Sequence, residues 1–276
     1  MIKQQMVRLL KRARLVIGVS CIAASGHALG DPGDATVWQQ RDGLSVSAGA
    51  FQPNYDTKIR KSRGDTDGDR ISLEDDLGLD DDDLIPVVSL AIRPWSKHKF
   101  FFSYMGMDRD AGKILSEDLS FDGVTFPAGT DVDTDFDINM YRAGYTWSFL
   151  QNEAWELGFS VGAYWVDMDM RMSALGGAVD ADYDESEPFP MIGFSGSWLL
   201  NEKWLIRGTA EAFSIDMNDT EGDFYNLRLE CEYALTERLS IGAGYDLVRI
   251  DAEDTKKNNR VTYDYDGALA FLRWHF

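Results

Sequence analysis

The chain has 276 residues, 44% of them hydrophobic, with 27 Lys and Arg against 47 Asp and Glu and a net charge of −20. That length suits one large all-β domain or two small globular ones. The acidic balance argues against nucleic acid as a partner, because phosphate binding needs a cationic footprint, and against docking on anionic headgroups by charge alone; it favours divalent cations.

Residues 1–30 read as an export signal. Lys3, Arg8, Lys11, Arg12 and Arg14 all precede the first acidic residue, Asp31, and a short apolar run, Leu15 to Ala24, follows them. Ala28-Leu29-Gly30 is a small-x-small cleavage site. The apolar run is about half the ~20 residues that a spanning helix needs. Cys21 is a weak lipidation candidate, since Gly18 stands where a Leu is expected. Without residues 1–30 the chain carries 22 Lys and Arg against 47 Asp and Glu, a net of −25, and Cys231 is its only cysteine.

Residues 31–43 read as a periplasmic N-terminal segment, and 44–276 as one domain with the period-2 alternation of strands. In the run 225–233, Tyr225, Leu227, Leu229, Cys231 and Tyr233 share one face, and Asn226, Arg228, Glu230 and Glu232 the other. Small residues fall on the polar phase: Gly158, Ser160 and Gly162 alternate with Leu157, Phe159 and Val161. A narrow lumen needs small polar groups and lipid needs an apolar band, so the pattern predicts an all-β, closed, antiparallel up-and-down transmembrane barrel.

Ten strands are expected near 44–61, 85–95, 99–109, 131–149, 155–172, 187–199, 203–216, 222–234, 239–251 and 261–276, with eight as the alternative, because the first two segments alternate less cleanly. Short connections (94–99, 150–154, 200–203 and 234–238) predict periplasmic turns. Acidic stretches (62–84, 110–130, 173–187, 217–223 and 252–260) predict long outer loops. Trp95, Trp147, Trp155, Trp198, Trp204 and Trp274 all lie near the periplasmic end, as interfacial indoles would.

The last strand ends in Trp274-His275-Phe276, with Ala268, Ala270, Leu272 and Trp274 on the face of Phe276. This is similar to the C-terminal signal read by the outer-membrane assembly machinery. With Gly144-Tyr-Thr-Trp-Ser-Phe149, residues 44–276 resemble the small OmpA-like and OmpW-like outer-membrane barrels. The stretches Ile71–Leu79 and Phe126–Thr130 resemble an uncharacterised proteobacterial subgroup of them. The resemblance implies outer-membrane lipid and lipopolysaccharide as surroundings and the assembly machinery as a partner. It implies no single activity, since one barrel fold hosts many functions.

Barrel enzymes of this type need a histidine near the outer leaflet. Here His27 belongs to the signal, His98 to a periplasmic turn and His275 to the C-terminus, so no enzyme and no organic cofactor is expected. On the inward phase, Glu156, Arg207, Glu211, Arg228, Glu230, Glu232 and Arg273 predict a lumen network of ion pairs, because buried charges must pair. That set would make either a structural polar core or a narrow ion path. Asp65, Asp67, Asp69 and Asp76 occupy positions 1, 3, 5 and 12 of a calcium-loop frame. The frame lacks its glycine, with Arg70 at position 6, and its bidentate Glu, so the expectation is a looser oxygen-rich Ca²⁺ or Mg²⁺ site, which Asp131, Asp133, Asp135 and Asp137 could join. The leading role is a structural or narrow-channel barrel; the alternative is an adhesin- or receptor-type surface binder acting through acidic loops.

Overall fold

The computed structural model describes residues 42–63, 67–217 and 220–276. The expected export signal (1–30) lies outside the described residues, as do residues 31–41. The elements are β1 (Leu44–Arg60), β2 (Ile71–Ser72), β3 (Ile85–Trp95), β4 (His98–Ile114), β5 (Leu119–Phe121), β6 (Val124–Phe126), β7 (Asp131–Gln151), β8 (Trp155–Ala174), β9 (Val179–Leu199), β10 (Trp204–Met217), β11 (Thr220–Ala234), β12 (Leu239–Asp254) and β13 (Asn259–His275). Ten of them (β1, β3, β4 and β7 to β13) pair antiparallel in chain order, and β13 pairs back on β1 from Ser45↔His275 to Arg60↔Arg260. The sheet is therefore a closed barrel, ten strands rather than eight.

Two girdles bound its membrane-facing band. Trp95, Trp147, Trp155, Trp198, Trp204 and Trp274 are exposed near the turns of one rim. Tyr141, Trp165, Tyr225 and Tyr245 are exposed at the other end of the band. Trp155 and Trp165, on the same strand, set its height: ten residues at ~3.3 Å each, tilted ~40°, give about 25 Å, the height of an outer-membrane apolar band. Between the girdles, Leu90, Phe102, Val161, Phe194, Leu227 and Ile241 point outward and are exposed.

The strands do not stop at the upper girdle. β8 continues to Ala174 with Val166, Met168, Met170 and Met172 buried inside and Asp167, Asp169 and Arg171 outside. β7 matches it, with Val132, Thr134, Phe136 and Ile138 inside and Asp131, Asp133, Asp135 and Asp137 outside. Each strand thus keeps one phase and inverts its polarity at the membrane boundary. Below it the barrel is apolar outside and polar inside; above it the barrel is acidic outside with a core of Met, Phe and Tyr.

This corrects the expected long outer loops at 173–187 and 252–260. Both are strand continuations, joined by turns at 175–178 and 255–258 where Leu175, Gly176, Gly177 and Asn258 take positive φ. Most of the predicted 217–223 loop is likewise the start of β11. Acid density made these stretches resemble loops, yet their alternation is that of a strand. The other two outer connections are long but folded. In 115–130, the β5–β6 hairpin buries Leu115, Leu119, Phe121 and Phe126 in the mouth of the barrel. In 67–84, Ile71, Leu73, Leu77 and Leu79 are buried while Asp75, Asp80, Asp82 and Asp83 stay exposed. β3 is short and reaches only the Phe51 level of β1. The 67–84 segment supplies the missing upper wall: Leu73 N–H donates to Thr57 O (3.0 Å) and Tyr55 N–H to Asp81 O (2.9 Å).

Candidate functional site

The lower lumen collects the charges of the inward phase. Arg207 of β10 donates two bonds to Asp42 (2.8 and 2.7 Å) and lies 3.7 Å from Glu232. Arg93 donates to Glu156 (2.8 Å) and sits 3.6 Å from Asp42. Ser148 also donates to Glu156, at 2.7 Å. Arg273 pairs with Glu232 and, at 3.2 Å, with Glu230. His275 Nε2 lies 3.2 Å from Glu232. The side chains of Arg93, Asp42 and Glu156 are at most 4% exposed, so bulk water does not reach them.

A second layer lies nearer the middle of the barrel. Arg142 pairs with Glu211 while stacking on Phe101, its guanidinium 4.1 Å from the ring centre. Arg228 pairs with Asp246, which also accepts a bond from Asn226 (2.6 Å). All seven charges expected in the lumen lie there, divided between the two layers. Four of their partners, Asp42, Arg93, Arg142 and Asp246, were missing from the expected set.

Among these groups lies a polar space of about 880 Å³, counted with its openings, whose lining includes Lys99, Arg142, Arg207, Arg228 and the hydroxyls of Ser47 and Thr146. The lumen is filled by charged and aromatic side chains except for this space. Inward Ser and Gly positions leave volume, and ten strands enclose more than eight. Above the space the fill is apolar. Tyr164 and Phe224 rings sit 4.7 Å apart, Tyr55, Tyr263 and Tyr265 cluster, and Phe136 and Phe121 are fully buried in the same core.

The structure disperses the candidate cation ligands. Asp65 lies outside the described residues. Asp67 accepts from Asn258 (2.9 Å), Asp69 from Ser120 N–H (2.7 Å) and Asp76 from Ser72 N–H (2.7 Å). Among the described residues no group of three or more His, Cys, Asp or Glu is placed to hold a metal.

Outside the upper barrel, aspartates stand in register across four strands. Asp108 faces Asp137, Asp137 faces Asp169, and Asp169 faces Asp184. Like charges directly opposed across a sheet repel. Burial, a hydrogen bond shared with Asp108 and repulsion from Asp108, Asp169 and Asp135 raise the Asp137 carboxyl above its ordinary range. A folded-state value above the unfolded one means that protonation favours folding. This contribution is complete below the ordinary carboxylate range and is lost as pH rises through the raised value. Asp137→Asn is therefore expected to raise the thermal midpoint at neutral pH and to flatten its rise on mild acidification. Heat-modified gel mobility across a pH series measures this, and a variant with the parent's pH profile would refute the repulsion.

Histidines are absent from the outer rim among the described residues. His98 Nδ1 lies 2.6 Å from the Tyr145 hydroxyl and His275 Nε2 lies 3.1 Å from Ser240, both at the end of the barrel girdled by tryptophan. Trp274 and Phe276 are exposed.

The closed sheet, twin girdles and inverted lower half define an outer-membrane-type β-barrel. No protein-family model and no curated protein matches the sequence. Among solved structures the chain is similar to the outer membrane protease OmpT from Escherichia coli, at 12% identity and a TM-score of 0.52, over 86% of this chain and 97% of that one. The translocator domain of autotransporter NalP from Neisseria meningitidis also aligns (12% identity, TM-score 0.47, 99% and 98% covered), as does Ail, the attachment invasion locus protein of Yersinia pestis (13%, 0.34, 83% and 99%). At such identities the likeness concerns the fold alone.

Proposed function

We propose that this chain is a structural, non-enzymatic outer-membrane barrel, closed to ions, that holds a rigid acidic platform above the outer leaflet. The observation that carries the reading is the double closure of the lumen. Below, the buried set of Asp42, Arg93, Glu156, Arg207 and Glu232 occupies the bore. Above, aromatic side chains and the β5–β6 hairpin occupy it. A permeating ion would have to break buried pairs and then cross an apolar layer, and each step is costly. The platform is strand rather than flexible loop, so a surface partner would meet a preformed face. An outer-membrane address, insertion guided by Trp274 and Phe276, and membership of the OmpA-like or OmpW-like group belong to the same proposal.

Planar-bilayer recording of refolded protein tests it. The expected trace shows no steps, or rare small ones, whereas a 16-stranded porin leaves an aqueous channel. A stable open level in most insertions would remove the closed-barrel reading and favour the narrow channel.

A further inference from the structure

The ladder between β9 and β10 is interrupted in the wall of the upper barrel. The β9–β10 ladder ends at Ile192↔Ala212. Above that point β9 continues on β8 as far as Val179, and β10 continues on β11. The sequence supplies a cause. Pro188 and Pro190 lie just beyond the last pair, and proline has no N–H to offer a ladder, so it belongs on a free edge. The lower end of the gap is level with the upper girdle on β10 and β11, since Ala212, in the last rung, faces Tyr225. Immediately beneath it, Ile192 and Phe194 are exposed apolar residues of the membrane band.

Behind the gap is a cavity of about 920 Å³, counted with its open mouth. Its walls include Met168, Tyr183, Phe189, Phe213, Phe224 and Ile250, with Phe189 and Phe213 contributed by the two strands that separate. Its rim carries Glu185, Glu221, Asp223, Glu253 and Asp254; Glu253 is paired to Arg260 (3.2 Å) and Arg60 (3.4 Å), Asp254 to Lys257 (3.8 Å), and Arg260 also to Asp251 (2.6 Å). An apolar wall rewards burial of an apolar ligand, and the flexible Met168 side chain adapts to its shape. With Glu253 and Asp254 paired to cations, Glu185, Glu221 and Asp223 leave the rim net negative, which disfavours sulfonates, carboxylates and the phosphates of lipid headgroups.

We propose that this cavity binds a small apolar molecule, uncharged or cationic, that reaches it from the outer leaflet through the β9–β10 gap. The proposal is independent of the closed lower lumen, because the cavity lies above the ion-pair layers.

The test uses the protein in zwitterionic lipid nanodiscs titrated with N-phenyl-1-naphthylamine, an uncharged fluorescent probe. Saturable emission is expected above the linear partitioning seen in empty discs. The anionic analogue 1-anilinonaphthalene-8-sulfonate is expected to bind at least about tenfold more weakly. Gly222 lines the cavity, and a Cβ there would meet its nearest atoms, Ile215 Cγ2 and Asp251 O, at 3.4 and 3.6 Å, ordinary contacts. Gly222→Leu, and Ala252→Phe as a second filler, are expected to weaken the uncharged probe by about tenfold or more. Emission no greater than in empty discs would overturn the proposal. So would equal binding of the sulfonate, a comparison made on the unaltered protein, or saturable binding that survives both fillers in correctly folded variants.

Discussion

Arg207→Ala is expected to cost about 3 kcal/mol, the lower end of the range for breaking a buried ion pair, because Arg93 and Arg273 remain near the carboxylates it abandons. Arg207 satisfies both oxygens of Asp42 and stands 3.7 Å from Glu232. Without it Asp42 keeps Arg93 at 3.6 Å and the field of Lys99, and Glu232 keeps Arg273. The double replacement Asp42→Leu with Arg207→Met removes charge and partner together, and it should recover most of the loss, since well-packed apolar substitutes often match a buried pair. Urea unfolding in lipid vesicles measures both. The same single variant should show brief conductance steps more often than the parent, because one wall of the lower closure is gone. A loss of ~1 kcal/mol or less would be the behaviour of a solvated pair and would place this layer in open water.

The membrane half was legible in the sequence because two solvents of opposite character act on alternate residues. Tyr225, Leu227 and Leu229 against Asn226, Arg228 and Glu230 can be read as lipid face and lumen face without any structure, and the tryptophan positions fix which turns share a rim. The outer half obeys the same period, Val132, Thr134, Phe136 and Ile138 against Asp131, Asp133, Asp135 and Asp137. There the polar phase faces water, as in a soluble barrel, and its acidity disguised strands as loops. The 67–84 wall was illegible for a different reason. Leu73, Leu77 and Leu79 are buried from a turn with no regular period, and their burial depends on the shortness of β3, which only the register reveals.

Among the lumen charges, Arg142 and Asp246 sit on the polar phase of their strands, which the alternation makes readable. Arg93 lies where the β3–β4 register shifts, between Ile92 and Trp95, so alternation does not report its direction. Asp42 precedes the first strand, where no periodicity exists to place a side chain inside a barrel. The cation-site expectation used spacing alone. The structure spends Asp67, Asp69 and Asp76 on three separate hydrogen bonds that tie the segment to Asn258, to the β5–β6 hairpin and to its own turn.

Arg109→Ala is expected to release the 67–84 wall while leaving the membrane half intact. Arg109, on β4, is buried where three elements meet. It donates to Glu74 (2.8 Å), to the Asp80 carbonyl (3.0 Å) and to Thr57 Oγ1 (3.3 Å). Its guanidinium lies 4.5 Å from the ring centre of Tyr55 and 5.2 Å from that of Phe136. The other oxygen of Glu74 accepts from Thr57 N–H (2.9 Å), so one carboxylate clamps the segment to β1 and β4 together. Alanine leaves Glu74 half-buried without its cation, at a local cost of about 3–5 kcal/mol. That compares with the whole stability of many domains, ~5–15 kcal/mol, so the segment should open on its own. Trypsin should then cut at Arg70 while the barrel keeps its heat-modified gel shift. The Leu73 amide, bonded to Thr57 O, should lose its protection from hydrogen exchange. Arg109→Lys keeps the charge but not the planar fork that reaches three acceptors, so it should fall between parent and alanine variant. Unchanged protection at Leu73 in the alanine variant would mean that the buried Leu73, Leu77 and Leu79 hold the wall without the ionic clamp.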